Sequence, residues 1–262
     1  MPTLLITNDD GVRSPFLPRM VERLKRLGTV RMAVPAEEHS WKAKAMTRFG
    51  RIQPHARNDF GVEAYALTGT PSDCVNIALH HLFPDKPDWV ISGINIGWNV
   101  GAAFAVNSGT VGAAFEAALG GVPAVAFSVR MPPELFQQWI TEKNLAGPEA
   151  ERLLDSTTER MGRMMEALLE RGLPPGAMIL NVNFPGAVRA DTPAHWVPLE
   201  DNRYGSLFVP DGGGFIHRFQ HNLTVVAPGP SDRQVVVDGG IAVTGLNLAG
   251  WNVPAPAQPP LE

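Results

Sequence analysis

The first 35 residues predict a β-α-β unit, and this pattern constrains the fold more than any other part of the chain. Residues 3–7 and 29–34 are short apolar runs of the kind that form buried strands. Between them, residues 15–27 carry apolar side chains at helical spacing and charged side chains on the opposite face. We expect two parallel strands joined by a right-handed crossover, with Ser14 as the N-cap of the helix and Pro15 in its first turn.

The strand and helix patterns continue to alternate up to about residue 185. Further helices are predicted at residues 70–82, 110–120 and 147–172, and further strands at 88–92, 122–128 and 177–183. The polar segment 36–60 is predicted to be a long loop or a ragged hairpin. Thr70 and Asp73 have the spacing of a capping box at the start of the second helix. Alternation of this kind indicates an α/β fold built on a mostly parallel sheet.

Beyond residue 185 the alternation stops and short β-like segments follow. They lie at residues 193–198, 222–227, 233–237 and 241–246. The predicted organisation is an α/β domain over residues 1–185, a β-rich C-terminal arm over 186–250 that packs on it, and a flexible proline-rich tail over 251–262. Because exposed strands tend to pair with another chain, we expect a homo-oligomer formed through the arm.

Composition limits the classes of protein to which the chain can belong. Its 262 residues are 44% hydrophobic and 18% charged, which is typical of a globular protein long enough to bury a sizeable core. The net charge is −4 and there is no basic stripe, so we expect no nucleic-acid duplex as a partner. A single cysteine, Cys74, without a signal peptide or a membrane-length apolar run, favours a cytoplasmic protein that has no membrane partner.

Two adjacent carboxylates follow the first strand. Asp9 and Asp10 stand at its carboxyl end, where open α/β sheets bind their ligands. Like charges this close raise one another's pKa, and a hard divalent cation removes the conflict because it prefers oxygen ligands. The alternative is an ordinary polar turn that ends at Asp10-Gly11.

Other polar residues lie where strands or loops meet helices. They are Ser40 after the second strand, Asn95 and Asn99 after the strand at 88–92, and Ser108-Gly109-Thr110 at the start of the next helix. Two carboxylates, a hydroxyl and an amide oxygen form an all-oxygen set, which suits Mg²⁺ or Mn²⁺ better than zinc. The helix start offers free N–H groups and a positive dipole end to a phosphate. Taken singly, each residue is typical of a cap or a turn.

Together these motifs resemble the SurE family, also called survival protein SurE, whose members are metal-dependent 5′/3′-nucleotidases. The resemblance rests on residues 6–11, 69–75, 92–99, 108–114 and 181–185, which stand in the family's order. It is strongest over residues 3–128 and weak beyond 185. It implies a Rossmann-like three-layer fold whose C-terminal arm is used in homodimers or homotetramers.

The resemblance also implies a reaction and assigns the site residues. The metal ligands it implies, for one Mg²⁺ or Mn²⁺ per subunit, are Asp9, Asp10, Ser40 and Asn95. The residues expected near the substrate phosphate are Ser108, Gly109, Thr110 and Asn99. We expect an acid-phosphatase-like phosphomonoesterase that hydrolyses nucleoside 5′-monophosphates, with 3′-monophosphates as further substrates. A metal-activated water would attack phosphorus, with Asp9 and Asp10 as the catalytic carboxylates.

Departures from the family pattern leave the substrate preference open. Trp41 and Lys42 follow Ser40, where the family usually has glycine and other small residues, and Asn107 stands where it often has an aromatic residue. Trp41 either adds a surface for stacking a base or faces solvent, and Lys42 either approaches phosphate or faces solvent. Alternative functions are an aspartyl-phosphate enzyme with Asp9 as nucleophile and a non-catalytic metal and mononucleotide sensor. The first turn lacks the G-x-G-x-x-G pattern, which argues against a dinucleotide-dependent oxidoreductase.

Overall fold

The computed structural model describes residues 1–218, 223–226 and 229–251. The strands are β1 (Thr3–Thr7), β2 (Thr29–Pro35), β3 (Pro54–Arg57), β4 (Glu63–Leu67), β5 (Trp89–Ile96), β6 (Ala124–Val129), β7 (Ile179–Phe184), β8 (Ala194–Trp196), β9 (Asn202–Tyr204), β10 (Phe208–Asp211), β11 (Gly214–His217), β12 (Leu223–Val225) and β13 (Ile241–Leu246). The α-helices are α1 (Phe16–Leu24), α2 (Pro71–Ile77), α3 (Ala102–Asn107), α4 (Gly109–Leu119), α5 (Pro133–Glu142), α6 (Pro148–Arg171) and α7 (Asp232–Val237). A π-helical stretch, Ala78–Leu82, continues α2, and a 3₁₀ turn spans Leu248–Trp251.

Nine of these strands form one central sheet in the order β3-β4-β2-β1-β5-β6-β7-β13-β8. The six strands from β4 to β7 in this order run parallel to one another. β3 and β13 are antiparallel to β4 and β7, and β8 pairs parallel with β13. The prediction of an α/β fold with a mostly parallel sheet is confirmed.

Apolar side chains fill both faces of the sheet, so the fold has three layers. Successive residues of a strand point to opposite faces. Leu4 and Ile6 of β1 accordingly join the core beneath α1 and α6, while Leu5 joins the core beneath α2 and α4. The expected Rossmann-like three-layer architecture is confirmed, and it places the carboxyl ends of β1, β2 and β5 side by side.

The helix caps agree with the sequence patterns at one helix and differ at another. The capping box of α2 is confirmed, since the Asp73 N–H donates to Thr70 Oγ1 and the Thr70 N–H donates to Asp73 Oδ2. The prediction that Ser14 caps α1 is wrong. Pro15 occupies the N-cap position with helical backbone angles, and the buried Ser14 hydroxyl has no hydrogen-bond partner among the described residues. The fixed φ of proline starts this helix without a side-chain cap.

The sequence patterns also missed or misassigned several elements. The predicted loop or ragged hairpin at 36–60 contains β3, whose partner β4 was not predicted; β3 is largely exposed and so shows little apolar alternation. Helices α3 and α5 were missed because α3 has six residues and α5 buries only two. The β-like prediction at 233–237 is wrong. Ser231 Oγ accepts a hydrogen bond from the Gln234 N–H and starts α7, which outweighs the β preference of the valines that follow.

The C-terminal region is divided between the central sheet and two small sheets. β8 and β13 belong to the central sheet, while β10 pairs with β11 and β9 with β12, both antiparallel. The domain boundary at residue 185 stays a prediction, and residues 252–262 of the predicted tail lie outside the described residues. Within the described part of the chain, no helix combines the length and the apolar character that crossing a membrane requires.

Candidate functional site

The turn after β1 holds the two carboxylates at the carboxyl edge of the sheet. The Asn8 side chain closes this turn, because its Nδ2 donates to the Gly11 carbonyl at 3.0 Å and its Oδ1 accepts from the Gly11 N–H at 3.2 Å. Gly11 has a φ of +83°, and a Cβ there would lie 2.9 Å from the carbonyl carbon of Glu37. Glycine is therefore needed for the turn to approach the loop after β2.

Asp9 is held by the start of α4. The Thr110 hydroxyl donates to Asp9 Oδ1 at 2.6 Å, and the Thr110 N–H donates to Asp9 Oδ2 at 3.1 Å. A Cβ at Gly109 would lie 2.9 Å from the same Oδ2, so glycine lets the helix come this close. The loop after β2 adds a third contact, from the His39 N–H to the Asp9 carbonyl at 2.7 Å. The start of α4 therefore fixes this carboxylate, and the loop after β2 fixes the backbone that carries it.

Asp10 is bound to β5, the neighbour of β1 in the sheet. Its Oδ2 accepts a hydrogen bond from the Ile96 N–H at 3.0 Å. The preceding residue, Asn95, donates its Nδ2 to the Gly97 carbonyl at 2.8 Å, and its amide oxygen accepts no hydrogen bond from the described residues. Asn95 is buried and lines the same cavity as both carboxylates. The fold thus brings the two carboxylates and the amide oxygen to one place.

Burial makes both carboxylates hard to ionise. Removal from water is the largest cause acting on Asp9, and it raises the pKa to about 6 despite the hydrogen bonds from Thr110, which lower it. The pKa of Asp10 lies well above its ordinary value, first because of burial and next because of the neighbouring charge of Asp9. A cation bound between two such groups would favour their ionised forms.

A third carboxylate, Glu38, connects Ser40 to a lysine. The Ser40 hydroxyl donates to Glu38 Oε1 at 2.8 Å, and Lys143 Nζ donates to Glu38 Oε2 at 2.7 Å. Burial raises the pKa of Glu38, but the hydrogen bonds from Lys143 and Ser40 and the charge of Lys143 outweigh it, so the pKa lies below its ordinary value. Glu38 therefore accepts the Ser40 hydroxyl hydrogen and leaves the lone pairs of Ser40 Oγ for another partner.

One cavity of about 760 Å³ contains most of the predicted site residues. Those that line it are Asp9, Asp10, Ser40, Asn95, Asn99 and Ser108. Gly109 and Thr110 lie behind Asp9: Thr110 is fully buried, and both its N–H and its hydroxyl are bonded to that carboxylate. The structure therefore gathers the whole predicted metal set and half of the predicted phosphate set around a common space.

The two phosphate-set residues on the cavity wall are themselves held firmly. Ser108 caps α4, since its Oγ accepts from the Val111 N–H at 3.1 Å. Asn99 donates its Nδ2 to Ser128 Oγ at 2.8 Å, and its own N–H donates to Asn183 Oδ1 at 2.7 Å. Their role toward phosphate stays a prediction, but their positions are fixed by the strands and the helix behind them.

Two cations on the cavity wall are not apparent from the sequence. Lys143 lies 105 residues beyond its partner Glu38, just after α5, and Arg233 lies on α7. Neither of these helices was predicted, so no local spacing connected the two residues to the site. Glu38 did have a local signal, because it is a carboxylate two residues before the predicted ligand Ser40. Lys42 is not among the described residues that line the cavity.

The donor set decides which metals the site suits. Across the part of the chain that the structure describes, there is no group of three or more His, Cys, Asp or Glu side chains that could hold a metal ion. The candidate set is instead two carboxylates completed by a hydroxyl and an amide oxygen. Hard cations such as Mg²⁺ and Mn²⁺ prefer such oxygen donors, whereas zinc sites are usually built from Cys and His.

Sequence comparison relates the chain to a family of known proteins. The family model described as Survival protein SurE matches residues 4–206. A protein named 5′-nucleotidase SurE from Methanocella arvoryzae is 38% identical over 205 residues, which cover 78% of this chain and 74% of that protein. A protein of the same name from Pyrobaculum arsenaticum is 34% identical over 251 residues, which cover 94% of this chain and 89% of that protein.

Structural comparison gives the same result. The crystal structure of the SurE protein from Aquifex aeolicus matches with a TM-score of 0.73 at 26% sequence identity, covering 95% of this chain and 96% of that one. The chain therefore belongs to the survival protein SurE family.

Proposed function

We propose that the chain is a metal-dependent nucleotidase that hydrolyses the phosphomonoester of nucleoside 5′-monophosphates, with 3′-monophosphates as further substrates. The observation that carries the proposal is the pair of buried carboxylates, Asp9 and Asp10, at the wall of a cavity large enough for a small ligand. The relatives named 5′-nucleotidase SurE support the hydrolase class and the nucleotide substrate.

The residues present fit one hard divalent cation, Mg²⁺ or Mn²⁺. Asp9 and Asp10 would supply charge, and Ser40 and Asn95 would each supply an oxygen that has no competing donor in the contacts described above. The raised pKa values of Asp9 and Asp10 support this assignment, because cation binding relieves the cost of two adjacent buried charges. When bound, the cation supplies Lewis-acid polarisation of a phosphoryl oxygen and lowers the pKa of a bound water.

The chain's own residues would position the substrate and handle the proton. Ser108 and Asn99 face the cavity and would bind phosphoryl oxygens, and Lys143 and Arg233 add positive charge on the same wall. Asp9 is the candidate acceptor for the proton of the attacking water, because it is a carboxylate on the wall of the cavity beside the proposed cation.

Gly109 and Thr110 would act on phosphate indirectly. Both Thr110 donors are engaged by Asp9, and Gly109 permits the close approach of α4 to that carboxylate. We therefore assign them the role of positioning Asp9. Because their contacts fix a carboxylate rather than face the cavity, substitutions there should act mainly through Asp9.

We also propose a homodimer or homotetramer formed through the C-terminal region, acting in the cytoplasm. The β10–β11 and β9–β12 sheets have only two strands each, and such sheets gain stability when another surface covers them. Phe215 on β11 is 75% exposed. The buried free thiol of Cys74 suits a reducing compartment. Light scattering behind size exclusion tests the assembly, and a monomeric mass at micromolar concentration contradicts it.

Phosphate release from a panel of nucleoside monophosphates tests the proposed reaction. The assay compares Mg²⁺, Mn²⁺ and EDTA for the wild type, for Asp9→Asn and for the control Asp191→Asn. The control removes a carboxylate that is exposed to solvent and does not line the cavity. We expect metal-dependent release that Asp9→Asn abolishes and Asp191→Asn preserves. Full activity in EDTA or in Asp9→Asn contradicts the mechanism. Nucleotide binding without release under any of the metals indicates a sensor instead.

A further inference from the structure

The cavity has an apolar part that the proposed chemistry does not use. Besides the polar residues around Asp9, its lining includes Trp41 and Phe104 on one side and Phe136 and Ile140 of α5 on another. Side chains of this kind supply contact area to the organic portion of a ligand, while a few polar groups fix its orientation. This part of the cavity therefore suits a group other than phosphate.

Trp41 offers an indole ring to that part of the cavity. Its ring centroid lies 5.8 Å from the ring of Phe104 on α3, in an edge-to-face arrangement, and 4.9 Å from the ring of His217 on β11. Even with these contacts the residue is 38% exposed. Among the contacts of the described residues, rings on two separate elements pack against the indole, and part of its surface is exposed.

The backbone that carries Trp41 is also fixed. The N–H of Ala43 donates to the Asn107 carbonyl at the end of α3, at 3.0 Å. Trp41 has a φ of +61° and Ala43 a φ of +50°, a region that bulky residues rarely adopt. Backbone held in such a conformation needs surrounding contacts to maintain it, and it is commonly found at binding sites. The loop therefore holds the indole against α3 instead of letting it move freely.

We propose that Trp41, supported by Phe104, is the surface on which the base of the nucleotide stacks, and that purines bind there more tightly than pyrimidines. This inference rests on the proposed nucleotidase function. Trp41 directly follows Ser40, so adjacent residues would contact the base end and the phosphate end of one nucleotide. Stacking on an aromatic ring is open to every base, and the two-ring purines offer it the larger face.

Equilibrium binding separates recognition of the base from hydrolysis. The ligands are nonhydrolysable phosphonates of AMP, CMP and ribose 5-phosphate, titrated calorimetrically with Mg²⁺ present. We expect Trp41→Ala to weaken binding of the AMP analogue about tenfold or more, to weaken the CMP analogue less, and to change the ribose 5-phosphate analogue less than about twofold. Trp196→Ala is the matched control, because Trp196 is an exposed tryptophan on the edge strand β8. Trp196→Ala should leave the affinity for all three analogues unchanged.

Kinetics on the same variants add a second readout. Trp41→Ala should raise KM for AMP by about the factor by which it weakens binding of the AMP analogue, and it should leave kcat within about threefold. Trp41→Phe keeps an aromatic ring and should therefore return KM most of the way to the wild-type value. An equal loss on ribose 5-phosphate would mean that Trp41 only holds the Ser40 loop, and would overturn the inference. So would unchanged AMP binding in Trp41→Ala, or absence of AMP-analogue binding by the wild type.

The two proposals fail in different ways. If the wild type binds the AMP analogue through Trp41 but releases no phosphate from any nucleotide, the nucleotidase proposal fails and the base surface stands. If the wild type hydrolyses AMP and Trp41→Ala does so with unchanged KM, the base surface fails and the nucleotidase proposal stands.

Discussion

Replacing Asp9 with asparagine should stabilise the metal-free protein at neutral pH, although it should abolish activity. Burial raises the pKa of Asp9 from an ordinary 3.8 to about 6. At about 1.4 kcal/mol per pKa unit, keeping this carboxylate ionised in the folded state costs about 3 kcal/mol. Asparagine has no charge to keep, so the variant avoids that cost.

The geometry around Asp9 accepts the substitution. The Oδ1 of an asparagine can accept from the Thr110 N–H while its Nδ2 donates to Thr110 Oγ1, so both existing contacts can be kept. The pKa of about 6 already includes the extra strength of these hydrogen bonds to the charged carboxylate, so they make no separate contribution to the difference. The expected gain for Asp9→Asn is therefore about 3 kcal/mol in the free energy of unfolding at pH 7.5.

The pH dependence gives the sign of the effect. Because the folded pKa lies above the unfolded value, the folded state binds the proton more tightly between pH 3.8 and about 6. The contribution of Asp9 to stability is thus fully retained below pH 3.8 and lost as the pH rises through about 6. The advantage of Asp9→Asn should disappear near pH 3.5.

Urea unfolding in EDTA at pH 3.5 and pH 7.5 measures this difference, with Asp191→Asn as the control for loss of an exposed carboxylate. Adding Mg²⁺ at pH 7.5 should stabilise the wild type and not Asp9→Asn, because a ligand stabilises only the state that binds it. The reasoning is refuted if Asp9→Asn is no more stable than the wild type at pH 7.5 in EDTA, or if its advantage is the same at both pH values.

Other substitutions test how the site is positioned. Thr110→Val removes the hydroxyl bonded to Asp9 and should lower kcat/KM about tenfold or more; unchanged kinetics would argue against a positioning role. Gly109→Ala places a Cβ 2.9 Å from Asp9 Oδ2, and displacement of that carboxylate should lower kcat/KM about 100-fold with a native circular dichroism spectrum. Lys143→Met removes the cation that lowers the pKa of Glu38 while burial remains. The acid limb of the pH–rate profile should then move to higher pH, and an unmoved limb would exclude Glu38 from the site's titration.

That the four proposed metal ligands lie together could be predicted, because they follow neighbouring strands. Asp9 and Asp10 end β1, Ser40 follows β2 and Asn95 lies near the end of β5, and β2, β1 and β5 are adjacent in the sheet. A repeating strand and helix pattern is enough to place the carboxyl ends of parallel strands together. Periodicity therefore placed these residues at one edge of the sheet, while their assignment as ligands rested on residue type and on the family resemblance.

The remainder of the site depends on contacts that no local pattern encodes. Lys143 reaches Glu38 from beyond a helix that buries only two side chains, and Arg233 lies in a helix whose three consecutive valines favour a strand. The two hydrogen bonds from Thr110 to Asp9 could not be predicted either, because a threonine at a helix start is equally suited to bind a ligand anion and a neighbouring carboxylate. Only the packed fold distinguishes these alternatives.

The order of the last strands bears on how the chain folds as it is made. β8 is complete by residue 196, but its partner in the sheet is β13, which ends at residue 246 and itself pairs with β7. During synthesis, the edges of β7 and β8 that pair with β13 therefore stay unpaired until nearly the whole chain has left the ribosome. Unpaired edges of this kind are prone to aggregation. A truncation that ends the chain before residue 241, and so removes β13, should consequently lower the yield of folded protein, even though Asp9 and Asp10 are unchanged.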